Sequence, residues 1–503
     1  MSLTRICVRS MMARKSWRHG WACPGLHASC LRATRDVDAR HKAAQVRAHG
    51  DKAGSAPSID LRTANMLSKE DNEALTRVGP GTLMGSLLRQ YWQPVLRSSE
   101  LAERDGPPVR VRLLGEDLVA FRDTDGKVGL LPLHCPHRGA SLFFARNEEH
   151  GLRCIYHGWK FDVSGNCVDT PNEPGESPAR RAKKIGYPCR EFGTVIWAYM
   201  GPTEPPGMPE LEWAHLPESH VFATKRFHEC NWAQALEGDL DSSHVGLLHS
   251  NLNKDVPSFS YGWRPDGSYN TIGHHRSPKV ETHETDFGLW VAARRPSKND
   301  LFYWRATALI LPFYTIIPAS GDSPLHINIW QPMDDEHTLV WSIEYHGGRP
   351  LTEDERARLG SGQYAHYGPD DVLPPTSEPG GRWRSKANRS NDFLIDREMQ
   401  RTTSFSGMRG FWRQDRAVVE SMGPIADRSN EHLGTSDLGI ARFRRLVLQA
   451  ARALNDEGKP PPGLRPHTQK VRAVAALVPE NESWVEAVTA LSAARPGEWA
   501  PAP

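Results

Sequence analysis

The sequence predicts an α+β chain, strand-rich in its first half and mixed beyond it. Three observations carry this. Residues 92–200 alternate apolar and polar side chains around turn signals such as Asp125-Gly126. Runs at 305–318 and 338–346 have the same strand character. Residues 231–249 and 436–455 instead have helical spacing. The 16 Trp, 39 Pro and 42 Gly fit loop-connected strands better than a helical bundle.

Charge and composition narrow the function classes. The 503 residues carry 62 Lys+Arg and 60 Asp+Glu, a formal charge of +2. That balance argues against a dedicated nucleic-acid binder, which needs a net basic footprint. No run approaches the roughly 18–20 apolar residues needed to span a bilayer, so no membrane insertion is expected. Eight Cys are too few for a disulfide scaffold in a chain this long, so Cys paired with His reads first as metal ligands.

Along the chain, residues 1–65 carry 12 basic and four acidic residues, a charge of +8, and the remainder is −6. Without sustained periodicity or an apolar signal core, 1–65 is expected to be a disordered or spurious extension. Met66 reads like a natural start, and Ser68 with Asp71 caps a short helix ending before Gly79-Pro80-Gly81. Residues 66–91 form this helical segment, and 92–201 a β-domain whose last strand is GTVIWAYMG (193–201). Pro202–Pro217 reads as a linker opening a second domain, 202–455. The Pro- and Ala-rich stretch 456–503 reads as a peripheral tail.

The segment LHCPHRGASLFFARNEEHGLRCIYHGWKFD holds Cys135, His137, Cys154 and His157 as C-x-H-x16-C-x2-H. Zinc also takes two Cys and two His, but its modules usually open with a paired-Cys knuckle. Here each loop offers one thiolate and one imidazole. That division suits a two-iron cluster with both thiolates on one iron and both imidazoles on the other. Cys167, Cys189 and Cys230 fall outside the pattern and read as buried free thiols.

Downstream, NWAQALEGDLDSSHVGLLHS holds Asp241, His244 and His249 as D-x2-H-x4-H. Asp241 and His244 would share a helix face, whereas His249 lies about 140° round an ideal helix from His244. Both His can hold one metal only if the helix distorts, which Gly246 permits. Taken alone, two His on a helix are more often structural than ligands.

Together these motifs resemble the large subunit of Rieske non-heme iron ring-hydroxylating oxygenases. MLSKEDNEALTRVGPGTLMG, NDFLIDREMQRT and QDRAVVESMGPIADRSNEHLGTSD are similar to the phthalate 4,5-dioxygenase branch. The resemblance covers most of 66–455. It implies a Rieske [2Fe-2S] β-domain followed by a helix-grip catalytic domain, an antiparallel sheet wrapped around a long helix. It implies a mononuclear Fe(II) held by His244, His249 and Asp415, with Asp392, Asp396 and Glu420 as competing carboxylates. Asp241 would link His157 of one subunit to His244 of the next in a homotrimer or stacked trimers. Electrons would come from NAD(P)H through a flavin and iron–sulfur reductase. The substrate would be an aromatic carboxylate, anchored by Arg276 or Arg305, with Arg294 and Arg295 as alternatives. O-demethylation, and attack on a phenoxybenzoate or chlorobenzoate, stay open within the class. A pure electron-transfer Rieske protein would leave about 250 downstream residues without a purpose.

Overall fold

The computed structural model describes residues 66–175, 181–252, 272, 275–298, 300–318 and 322–493. The chain divides into two units, Met1–Ile59 and Asp60–Pro503. The expectation for 1–65 lies outside the described residues.

Helices α1 (Lys69–Thr76) and α2 (Leu83–Leu88) start where a hydroxyl can cap them. Ser68 Oγ accepts from the Asp71 N–H at 3.0 Å and Thr82 Oγ1 from the Gly85 N–H at 3.1 Å. Three small antiparallel sheets follow. β1 (Trp92–Arg97) pairs with β10 (Val195–Tyr199), which pairs with β9 (Cys189–Phe192). β2 (Val109–Leu113), β3 (Glu116–Arg122) and β4 (Val128–Pro132) form a meander. β5 (Arg146–Glu148), β6 (Gly151–Arg153), β7 (Lys160–Phe161) and β8 (Cys167–Asp169) form another. A small core of Val119, Phe121, Leu131, Leu142, Leu152, Trp159 and Phe161 sits under the Cys135 and Cys154 loops. Leu118, Ala120 and Leu130, alternating with those on β3 and β4, join the larger core instead. The period-2 pleat sends neighbours to opposite faces.

The second half is built on one antiparallel sheet. Its members are β11 (Val221–His228), β12 (Lys279–Glu284), β13 (Gly288–Pro296), β14 (Leu301–Ile310), β15 (Tyr314–Ile317), β16 (Leu325–Pro332) and β17 (Thr338–Tyr345). The order is β11-β17-β16-β15-β14-β13-β12. The strand expected over 305–318 is two strands, because Leu311-Pro312-Phe313 turns the chain between β14 and β15. Helix α3 (Trp232–Leu240) packs on β14, β15 and β16. After α4 (Glu353–Leu359) and α5 (Arg397–Thr402), α6 (Phe411–Ser421) packs on α3. The 20-residue α7 (Leu438–Glu457) lies on β12 and β13. Its Gly439 makes that approach possible, since a Cβ there would meet Val291 Cγ1 at 2.5 Å.

The stretch from 456 is not a peripheral tail. β18 (Val474–Pro479) pairs with β14 from Leu301 to Ala306, beside the residues that pair with β15. Helix α8 (Trp484–Leu491) packs on β18, and Trp484 stacks on Trp304 with ring centroids 5.3 Å apart. The Pro-rich lead-in masked a six-residue apolar strand. Cys230 is buried as expected, but Cys167 and Cys189 are only half-buried. Among the described residues no helix is long and apolar enough to cross a membrane.

Candidate metal centres and catalytic cavity

The two Cys-His loops close in the same way. Gly139 N–H donates to Cys135 O and Gly158 N–H to Cys154 O, both at 2.9 Å. Cys135 N–H donates to Ala140 O at 2.8 Å and Cys154 N–H to Trp159 O at 2.9 Å. Each turn needs a left-handed residue at its fifth position, supplied by Gly139 at φ +73° and Gly158 at φ +79°. Both thiols are buried, whereas His137 and His157 are half-buried, their rings 4.5 Å apart. Trp159 stacks flat on His137 at 4.5 Å and anchors its own N–H on Asn172. Burial, with Cys154 alongside, pushes the Cys135 thiol up to about 11. Two buried thiols set against two imidazoles are a soft and borderline donor set that fits a Cys2His2 iron–sulfur cluster.

The second motif breaks its helix. α3 stops at Leu240, Asp241 is its extended C-cap, and His244 opens a single 3-10 turn over His244–Gly246. Asp241 and His244 therefore do not share a helix face. That break solves the 140° problem, because it lets His244 and His249 converge. With Asp415, on α6, they offer three donor atoms within 4.8 Å of one another. His249 Nε2 lies 3.1 Å from Asp415 Oδ1, and His244 Nε2 lies 3.7 Å from it. Two imidazoles and a carboxylate are the donor set of a non-heme iron site with open positions. Burial works against ionisation of Asp415, but His249 and His244 overcome it and hold the carboxyl below its usual range.

The competing carboxylates are engaged elsewhere. Glu420 is buried against Arg416 at 2.5 Å and accepts from the Glu229 N–H. Asp396 caps α5 through the Met399 N–H, and Asp392 is exposed.

Around the triad, polar groups lock the carrying elements together. Gln234 of α3 donates to Val419 O and Gly423 O and accepts from the Ala426 N–H at 2.7 Å, so α3 and α6 hold a fixed relation. Asp239 accepts from Asn328 Nδ2 at 2.9 Å and Trp330 Nε1 at 3.0 Å, tying α3 to β16. Glu237 pairs with Arg428 and Arg444 in the interior. Asp241 Oδ1 accepts from the Ser243 N–H and hydroxyl, and Oδ2 faces His244 Nδ1 at 3.5 Å. Burial would raise the Asp241 carboxyl, but His244 and Ser243 outweigh it and hold it at about 2.

Sequence reasoning missed Gln414. Its Nε2 donates to Met408 O at 2.7 Å, which turns its Oε1 toward His249 Nδ1 at 2.6 Å. The His249 proton then sits on Nδ1, leaving the Nε2 lone pair facing Asp415. Gln414 directly precedes Asp415, but nothing in its residue type marked it.

A cavity of about 550 Å³ opens beside the triad. Arg305 of β14 lines it, 6% exposed. Arg276 is not among the described lining residues; its Cγ lies 3.3 Å from where a Gly246 Cβ would be. Arg295 is fully buried and braces the Asp241–His244 turn by donating to Ser242 O at 2.7 Å and Ser242 Oγ at 3.2 Å. Arg294 packs over the Phe302 ring at 4.2 Å. Also missed was Arg226 of β11, which lines the cavity with Nε and Nη1 unpartnered among the described residues.

Residues 91–183 match the family described as the Rieske [2Fe-2S] domain, and 198–497 the one described as LigXa C-terminal domain like. The chain is 40% identical to the 3-chlorobenzoate-3,4-dioxygenase oxygenase subunit of Comamonas testosteroni, over 83% of this chain and 97% of that one. It is 38% identical to the phthalate 4,5-dioxygenase oxygenase subunit of Pseudomonas putida, over 83% and 94%. Among solved structures, NdmA of Pseudomonas putida CBB5 with caffeine aligns at a TM-score of 0.51 and 18% identity, over 75% of this chain and 94% of that one, a likeness of fold.

Proposed function

The chain belongs to the Rieske non-heme iron oxygenases as a large, oxygenase subunit, and on that premise we propose that it hydroxylates the ring of an aromatic carboxylate in the cytoplasm. The observation that carries the substrate class is Arg305, a buried guanidinium on the wall of the cavity that holds the triad. A carboxylate leaving water for such a pocket needs a fixed, preferably bidentate, donor. Two relatives that it matches at 40% and 38% identity are named for 3-chlorobenzoate and phthalate, both aromatic acids.

Cys135, His137, Cys154 and His157 would hold the cluster, and His244, His249 and Asp415 the mononuclear iron. When bound, the two groups supply one-electron reduction and O2 activation respectively. The protein's own part is positioning. Gln414 fixes the tautomer of His249, and Asp241 holds His244 from the other side. Arg295 keeps the Asp241–His244 turn in place through Ser242. Arg305 orients the acid so that its ring, rather than its carboxylate, faces the triad. Asp241 would also meet His157 of a neighbouring subunit in a homotrimer or stacked trimers, and a flavin and iron–sulfur reductase would deliver electrons from NAD(P)H.

Arg305→Ala should raise KM for benzoate- or phthalate-type acids by about 10–100-fold, with iron content unchanged. An unchanged KM removes Arg305 as the anchor. O-demethylation is a second reading, favoured by a 31% identity to the 5,5'-dehydrodivanillate O-demethylase oxygenase subunit of Sphingobium. Release of formaldehyde from a methoxybenzoate would mark it.

A further inference from the structure

We propose a second divalent-cation site, formed by His326, Glu344 and His366 and suited to a borderline ion such as Zn2+. His326 on β16 and Glu344 on β17 are direct cross-strand partners, so both project from the same face of the sheet. They meet there, His326 Nδ1 lying 2.9 Å from Glu344 Oε1. Both line the cavity. His366, in the segment after α4, has its ring 6.1 Å from that of His326 and nearly perpendicular to it. One donor atom from each of the three lies within 4.8 Å of the other two. That is the grouping, and the two-imidazole, one-carboxylate donor set, that His244, His249 and Asp415 present.

The independent observation is His366 itself. It is fully buried, its Nδ1 sits 2.6 Å from Thr224 Oγ1, and its Nε2 has no hydrogen-bond partner among the described residues. Donation of the Nδ1 proton to Thr224 leaves a lone pair on Nε2, the same orienting device that Gln414 provides for His249. Burial, with His326 and Arg226 nearby, keeps the imidazole in its neutral form, which is the one that ligates. Hard ions such as Mg2+ or Ca2+ prefer all-oxygen sites, whereas two imidazoles and a carboxylate suit Zn2+, Co2+ or Ni2+. No residue is shared with the triad. Tyr364 and Ala365, which precede His366, also line the cavity, so a cation here would tie that segment to the sheet beside the substrate space.

The test is metal analysis of the iron-loaded holoenzyme dialysed against Zn2+, with iron and zinc measured in the same sample. The expected result is about one zinc per chain in addition to the full iron complement. His326→Ala and Glu344→Gln, both at partly exposed positions, should each weaken zinc binding at least about tenfold with iron unchanged; His366→Ala should do the same if it folds. Co2+ in place of Zn2+ should give visible bands that vanish in the same variants. No zinc bound beyond the iron at free zinc up to about 100 μM, zinc entering only in exchange for iron, or affinity unchanged in both His326→Ala and Glu344→Gln would each overturn the proposal. None of these readouts depends on the substrate.

Discussion

Replacing Gln414 by Leu isolates the group that orients His249. Gln414 and His249 are 5% and 4% exposed, so bulk water has no ready access to a vacated Nδ1. The amide is held at both ends, at 2.7 Å to Met408 O and 2.6 Å to His249 Nδ1. Leucine has similar volume and no acceptor, so the ring loses that bond and its preference for the Nε2 lone pair. Loss of such an outer hydrogen bond weakens metal binding about 10–100-fold, which is about 1.4–2.8 kcal/mol. The assay is chelator competition on the loaded protein, following iron content together with the visible spectrum of the cluster. Iron should fall from about three toward about two per chain with the cluster spectrum unchanged. Gln414→Glu keeps an acceptor at Nδ1 and should retain the iron. If Gln414→Leu holds iron as tightly as the parent protein, Gln414 does not set the ring's tautomer and the reasoning fails.

Four further outcomes follow from the same structure. Asp241→Asn should keep its iron yet lose about 10–100-fold or more in turnover; a parent-like rate in reductase-coupled assays would remove Asp241 from the path. Glu237→Gln withdraws the charge that Arg428 and Arg444 share and should cost about 3–5 kcal/mol in urea unfolding; a change below about 1 kcal/mol would count against that pairing. Gly158→Ala forces a left-handed alanine whose Cβ meets Pro171 Cγ at 2.5 Å, so cluster content should drop sharply, whereas Gly139→Ala, with open space around it, should be milder. Glu355 is pulled down to about 2, because Arg349 and the Thr352 N–H outweigh the burial that would raise it. Its stabilisation is therefore full above the unfolded value of about 4.3 and lost as pH falls toward 2. Glu355→Gln should be less stable at neutral pH and show a shallower acid limb between those values; an unchanged limb would refute this.

The cluster loops were legible because their four donors sit in two short turns, each closed by its own glycine at a fixed offset. The triad was legible only through resemblance. Spacing alone put His244 and His249 on divergent helix faces, and the break after Leu240 that reunites them comes from the Asp241 and Ser243 turn, a local competition with helical hydrogen bonding. Asp415 lies on a different helix, and the contacts that bring it close run through Gln234, whose partners are backbone groups that carry no residue-type signal. Arg276 and Arg305 looked equivalent as sequence, but strand alternation sends Arg305 to the cavity while Arg276 sits by Gly246. β18 was hidden by its proline-rich approach, since its place in the sheet is a pairing across more than 160 residues. His326, Glu344 and His366 converge by cross-strand register and a loop return, so no motif window could hold them.

The most direct test of the account is a reductase-coupled reaction of the iron-loaded protein with benzoate, 3-chlorobenzoate and phthalate under labelled O2. At least one of these acids, and not its neutral amide, should give a ring cis-diol carrying both labelled oxygens. No ring product from any of the acids, or equal turnover of the amides, would contradict it.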